Sequence, residues 1–219
     1  MIYKKIDDFL ALPEETIQFV QLKEDRFFSK IPSEEYRCLI HKASDCGKLA
    51  AQRMLEQNPS LSLAEMIGKL GIELSFSEMT VDKMFASVGY CESPNKIIIN
   101  SKIHEQESFF ENNELSWLKY SEWKNIVIAH ELFHYFQEQD KTLFINNYKL
   151  PLWRIGPYQH KTKLGSLSEI AAMAFAKKLL SLTFYPGFLE YLILYPYFPE
   201  EIERKIDDVT RMARLGMSY

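Results

Sequence analysis

The stretch from Glu122 to Glu138, EWKNIVIAHELFHYFQE, is long enough for a helix of about five turns and is apolar on nearly every side. A helix apolar all round is stable only when other elements cover it. The chain therefore has to build layers around this segment, and at 219 residues with 47% apolar composition it has the material to do so. The same segment carries His130, Glu131 and His134 into the interior. Burying such groups without partners costs about 1–3 kcal/mol each, so something has to satisfy them.

Their spacing says what. His130-Glu131-Leu132-Phe133-His134 is an HExxH pattern, and on a helix residues i and i+4 share a face with Cβ atoms about 5–6 Å apart. Two imidazole nitrogens at that spacing can converge on one Zn²⁺. Glu131 sits one position on, where its carboxylate meets a metal-bound water rather than the metal. The bland alternative is two hydrogen-bonded histidines in an amphipathic helix.

A catalytic zinc needs a third protein ligand, and two residues compete for that role. Glu169 opens the segment EIAAMAFAKKLL, and Ala172, Met173 and Ala176 share its side of a helix, which would allow close approach to the histidines. Ser166-x-x-Glu169 is also a capping box, in which the carboxylate would turn back to the helix's own amides. Cys91, about forty residues before the HExxH, is the other candidate, in the arrangement of peptide deformylases. The glycine-rich, glutamine-bearing stretch of those enzymes is missing here.

Elsewhere the chain reads as α+β. Helices are expected from about Pro13 to Phe28, Ser33 to Gln57 and Leu63 to Leu70, the last bounded by the capping box Ser62-x-x-Glu65 and by Gly71. Ile72–Phe76, Met84–Tyr90 and Lys96–Asn100 have the composition of short strands. Residues 105–122 read as a solvated acidic connection or short helix, 141–165 as irregular, and 198–214 as an amphipathic helix. Cys38, His41 and Cys46 have no standard zinc spacing, and core packing is the better reading of the cysteines. Tyr148, Arg154, Tyr158 and His160 lie between the two ligand-bearing helices and are candidates for stabilising an oxyanion. The aromatic run 184–198 reads mainly as core, with a partner-binding patch as the alternative.

The stretch from Gly71 to Ala176 resembles the ImmA/IrrE family of metallo-endopeptidases, thermolysin-like zincins of the gluzincin type. Four pieces match in order: Leu70-Gly71-Ile72 leading into a strand; Gly89-Tyr90 followed by Ile97-Ile98-Ile99-Asn100; Lys124 with Ala129-His130-Glu131-Leu132-x-His134; and Glu169-x-x-Ala172-x-x-Phe175-Ala176. Phe133 departs from the family's usual glycine, and the Leu-Met-Pro corner after Ala176 is replaced by Leu179-Leu180-Ser181-Leu182. The resemblance implies a zincin-like, mostly helical fold with a small twisted sheet of about three strands. Residues 61–183 would be the metallopeptidase core, 1–60 a helical extension and 184–219 an aromatic-rich helical segment, packed as one unit. It further implies Zn²⁺ held by His130, His134 and Glu169, with Glu131 as the catalytic base. Substrate would lie along the edge of Lys96–Asn100 and be cut as a specific protein, a helix-turn-helix repressor, linking the activity to transcription regulation. A zinc-containing protein that captures its partner without cutting it is the alternative.

Composition narrows the setting. Lys and Arg number 26 against 30 Asp and Glu, so the chain lacks the basic footprint of direct nucleic-acid binding. Three cysteines without a CxxC pair and an N-terminus broken by charges suggest a cytoplasmic protein. The most apolar run, 179–199, is interrupted by Pro186, Gly187, Glu190 and Pro196, so no membrane span is expected.

Overall fold

A computed structural model describes residues 2–81, 89–92, 95–112 and 120–214. Two helices, α1 (Ile2–Leu10) and α2 (Glu14–Lys23), precede the long α3 (Tyr36–Gln57). The expected helix to Phe28 ends five residues earlier. Asp25 ends the helical run by accepting the amide of Phe27 at 2.9 Å, a side-chain turn that competes with helix continuation. Helix α4 (Leu63–Lys69) begins with the anticipated capping box, both reciprocal bonds present, and the chain leaves it through Gly71 at φ +66°.

Three short strands follow: β1 (Glu73–Ser77), β2 (Gly89–Glu92) and β3 (Lys96–Asn100). Most of the expected strand from Met84 to Tyr90 lies outside the described residues. The sheet order is β1-β3-β2, with β1 parallel and β2 antiparallel to β3. Lys96–Asn100 is therefore the central strand, bonded on both sides, and not an edge that could receive substrate. The run Ile97-Ile98-Ile99 is buried on both faces, which is where a continuous β-branched run belongs. Asn100 fastens the end of β3. Its Oδ1 accepts the amides of Met79 and Lys102 at 3.1 Å each, and its Nδ2 donates to the Met79 carbonyl at 3.2 Å.

After α5 (Glu107–Asn112) comes α6 (Tyr120–Gln139); its middle, Ile126–Phe133, is buried as expected, whereas residues 134–137 are half-buried and Glu138 and Gln139 are exposed where the helix borders the cleft. Helix α6 packs across β2 and β3. Gly89 makes this approach close, because a Cβ there would stand 2.9 Å from a Val127 methyl and 3.2 Å from the Ile98 carbonyl oxygen. The short α7 (Phe144–Asn147) leads into an antiparallel hairpin, β4 (Leu150–Ile155) and β5 (Tyr158–Thr162), turning at Gly156 with φ +56°. This hairpin replaces the irregular segment expected there. Helices α8 (Gly165–Leu179), α9 (Leu189–Leu194) and α10 (Pro199–Arg214) complete the chain.

The result is an α+β fold, mostly helical around a small three-stranded sheet, with a separate two-stranded hairpin. Its largest helix pairing is α3 against α8. Gly47 in α3 permits it: a Cβ at that position would lie 2.0 Å from the Ala171 carbonyl oxygen. One core cluster runs from Ile6 and Leu22 through α3 and the sheet to α6, α8 and α9. A second joins Phe9 and Ile17 to Tyr185, Phe188, Tyr191 and the apolar face of α10, so most of the C-terminal aromatic run is core. Among the described residues no helix is long and apolar enough to cross a membrane.

Candidate metal centre

His130 and His134 project from one face of α6, and Glu169 reaches them from the second turn of α8. Their nitrogens, Nε2 of each ring, stand 3.1 Å apart. Glu169 places Oε2 at 3.1 Å from His130 Nε2 and Oε1 at 3.6 Å from His134 Nε2. One donor atom from each residue lies within 4.8 Å of the others, and this is the one such group found among the described residues. Ligands held tetrahedrally at about 2.0–2.1 Å from a small cation stand about 3.3–3.4 Å from one another. The observed separations bracket that value, so the set fits a single small cation in size as well as in chemistry. This group could bind a metal ion.

The surroundings fix the orientation of these side chains. His134 Nδ1 lies 3.2 Å from Gln137 Oε1; with the ring proton on Nδ1 and donated to that oxygen, the Nε2 lone pair faces the site. Ser168 Oγ donates to the same Gln137 oxygen and so fastens α8 to α6 beside the ligands. The Ser166–Glu169 capping box does not form. Asp25, from the turn after α2, instead accepts both the Ser166 amide at 3.1 Å and its hydroxyl at 3.0 Å. The start of α8 is thus capped by another part of the chain, and Glu169 is left to face the histidines.

Glu131 is 4% exposed and faces the same cleft. Burial pushes its carboxyl up to about 7, opposed by His134 and by the Cys91 amide and reinforced by Glu169. Desolvation also pushes Glu169 upward, but its hydrogen bond to His130 and its electrostatic attraction to the two imidazoles hold it down at about 2. Two carboxyls one cleft apart are therefore driven in opposite directions, one towards holding a proton and the other towards permanent negative charge.

Cys91 lines the cleft but is not one of the gathered donors. Burial, together with Glu131 and Glu138, pushes its thiol up to about 11, against the thiolate that metal binding requires. Cys38 and His41 are exposed while Cys46 is buried, so the core reading holds for Cys46 alone. Phe133, where the family has glycine, is fully buried with its ring 5.5 Å from Phe175, so the larger side chain is absorbed in the core.

None of the four oxyanion candidates lines the cleft. Tyr148 donates to Glu35 at 3.1 Å, Arg154 bonds the Gly156 carbonyl within the hairpin turn, and Tyr158 and His160 lie on the hairpin beside Trp153. The cleft, about 1000 Å³, is lined by Gly89, Tyr90 and Cys91 of β2, which is an edge strand among the described residues, and by the end of α2, and its cations are Arg26, Lys163 and Lys205. Sequence reasoning missed Asp25, Arg26 and Gln137. For Asp25 no local signal exists, because its partner is 141 residues away. Gln137, three residues after a ligand histidine on the same helix, was open to discovery by spacing. Comparisons with family models, curated proteins and solved structures found no match.

Proposed function

We propose that this chain is a zinc-dependent endopeptidase with a zincin-like fold, acting on a specific protein. The convergence of His130, His134 and Glu169 beside the buried Glu131, in an open cleft, is the observation that carries this reading. Two imidazoles and a carboxylate form the donor set of zinc hydrolases, and zinc bound there supplies Lewis acidity towards a carbonyl and an acidified water. The remaining work falls to the chain. Gln137 and Ser168 hold His134 in its ligating tautomer. Glu131 takes a proton from the attacking water at its carboxylate and passes it to the departing amide nitrogen.

In this reading substrate lies against β2, which pairs with β3 and whose residues line the cleft. An extended peptide can add there by main-chain hydrogen bonds. Arg26 and Lys163 line the cleft, as the four residues expected from sequence do not, and are our candidates for stabilising a developing oxyanion. The resemblance to ImmA/IrrE proteases suggests a cytoplasmic helix-turn-helix repressor as the target.

Purified protein should carry about one equivalent of zinc. Glu131→Gln should keep that metal and lose turnover by about 10²-fold or more. Incubation with the repressor encoded beside its gene should give one metal-dependent cut that the variant does not make. Turnover retained in Glu131→Gln would refute the mechanism. A protein acting by stoichiometric capture would keep its biological effect in that variant, which separates the two readings.

A further inference from the structure

The hairpin β4–β5 is rooted in the core by Leu150 and Leu152, and beyond them, from Trp153 to Gln159, both of its faces are exposed. Trp153 pairs across the strands with His160, and Ile155 with Tyr158, so these four side chains share one face. Trp153, Ile155 and Tyr158 are 49%, 70% and 59% exposed. The Trp153 and His160 rings stack 5.0 Å apart at 18°, and the Tyr158 ring stands 5.7 Å from Trp153. Arg154 and Lys161 occupy the opposite face. Among the described residues no other element packs extensively on the hairpin. An isolated two-stranded hairpin is only marginally stable in water, and the outer part of this one, past its Leu150 and Leu152 root, offers an uncovered aromatic surface that a partner can bury.

Its charge specifies the partner. Residues 149–163 carry Lys149, Arg154, Lys161 and Lys163 and no acidic residue, in a chain whose net charge is −4. Removing those four positive charges leaves −8 on the rest. The adjoining cleft is itself acidic, with Glu24, Glu131, Glu138, Glu169 and Glu190 on its walls. A long polyanion such as DNA, or an anionic bilayer, would meet repulsion wherever it extended beyond the hairpin. A short acidic segment of a protein meets only the hairpin. Trp, Tyr and Arg are the residues that dominate protein–protein binding energy, and all three are present. The hairpin also runs directly into the site: Lys163, just past β5, lines the cleft, and α8 with Glu169 begins two residues later.

We propose that the β4–β5 hairpin is a docking surface for a segment of the protein substrate in which acidic and large apolar residues alternate, added as a strand along a hairpin edge so that its apolar side chains join the Trp153 face and its acidic ones the Arg154 face, and seated outside the cleft that receives the bond to be cut. Calling the occupant a substrate rests on the hydrolytic reading above, whereas the docking itself does not.

The test separates the two by measuring binding in the Glu131→Gln protein, where hydrolysis plays no part. Two short fluorescein-labelled peptides serve as probes, one alternating glutamate with leucine and phenylalanine, the other with lysine in place of every glutamate. The acidic peptide should bind at least tenfold more tightly, with a blue shift of Trp153 emission. Adding Trp153→Ser and Tyr158→Ser should weaken it by about tenfold or more, and Arg154→Glu with Lys161→Glu should reverse the preference between the peptides. All four positions lie on an exposed hairpin, and circular dichroism will verify that the fold is kept. Equal binding of the two peptides, binding of neither, or affinity unchanged by the hairpin variants overturns the proposal. So does tighter, hairpin-dependent binding of oligodeoxythymidine or of phosphatidylglycerol vesicles. Failure of the unsubstituted protein to hydrolyse any substrate would remove the protease reading and leave the binding result intact.

Discussion

Replacing Gly47 by alanine puts the link between the fold and the metal centre to a direct test. In an ordinary helix interior, alanine is more favourable than glycine by about 1 kcal/mol. Here the new methyl would lie 2.0 Å from the Ala171 carbonyl oxygen and 2.8 Å from its carbon. Both are backbone atoms, so no side chain can swing aside. Restoring an ordinary contact of 3.4 Å requires α3 and α8 to part by about 1.4 Å at that point. Overpacking of this kind costs about 1–3 kcal/mol, and a rigid backbone contact belongs at the upper end. After the helix-propensity gain, the net loss is about 1–2 kcal/mol, or roughly 2–8 °C in Tm for a chain of this length. The displacement bears on function as well. Glu169 lies two residues before Ala171 on α8, and metal–ligand distances tolerate only about ±0.2 Å. Gly47→Ala should therefore lower metal affinity as well as Tm. Gly68→Ala in α4, where nothing lies within 4 Å of the added methyl, should raise Tm slightly and leave metal binding alone. Thermal unfolding followed by circular dichroism, together with competition against a zinc chelator, measures both quantities. A Gly47→Ala protein as stable as its parent and equally tight for zinc would show that the α3–α8 contact does not position the third ligand.

Further outcomes follow from the same geometry. His134→Ala and Glu169→Ala should each lose the metal, read as zinc per chain by elemental analysis, while Cys91→Ser should retain it. Asp25→Ala removes the cap on α8 and should cost about 1–2 kcal/mol by denaturant titration, with a weakened metal site besides. Burial, the nearby Glu24 and Glu169 push the Glu190 carboxyl up to about 7, while Lys205 opposes them. Its folded value exceeds its unfolded one, so the stability it lends is complete at low pH and is lost as pH rises from about 4.5 through 7. Glu190→Gln should accordingly match the parent in Tm at pH 4 and exceed it at pH 8, by about 2–3 kcal/mol in stability. An equal difference at both pH values would refute that assignment.

What the sequence disclosed divides by distance along the chain. The capping box at Ser62, the turn at Gly71, the strand Lys96–Asn100 and the helix around His130 were legible because each is written in neighbouring residues. The ligand pair His130–His134 was legible for the same reason, since helical spacing alone brings the rings together. Glu169 was named through its motif, but whether it capped its own helix or faced the two histidines depended on Asp25, far away in the chain. The place of β3 was misjudged in the same way: an apolar five-residue run fits an edge or a centre equally well, and only pairing with both β1 and β2 decides. The hairpin at 150–162 was hidden because its exposed aromatic residues and prolines have no core-facing alternation to betray a strand.

The reliance of α8 on Asp25 and Gly47 sets a boundary on how the protein can be divided. A fragment that begins at residue 61 would contain every motif used to recognise the site, yet would lack the cap on the helix bearing the third ligand and the helix packed behind it. Such a fragment should expose the Ala171 side of α8 to water and present two histidines with no fixed carboxylate. For anyone seeking a minimal catalytic unit, the cut that looks natural in the sequence falls inside what the structure makes indivisible.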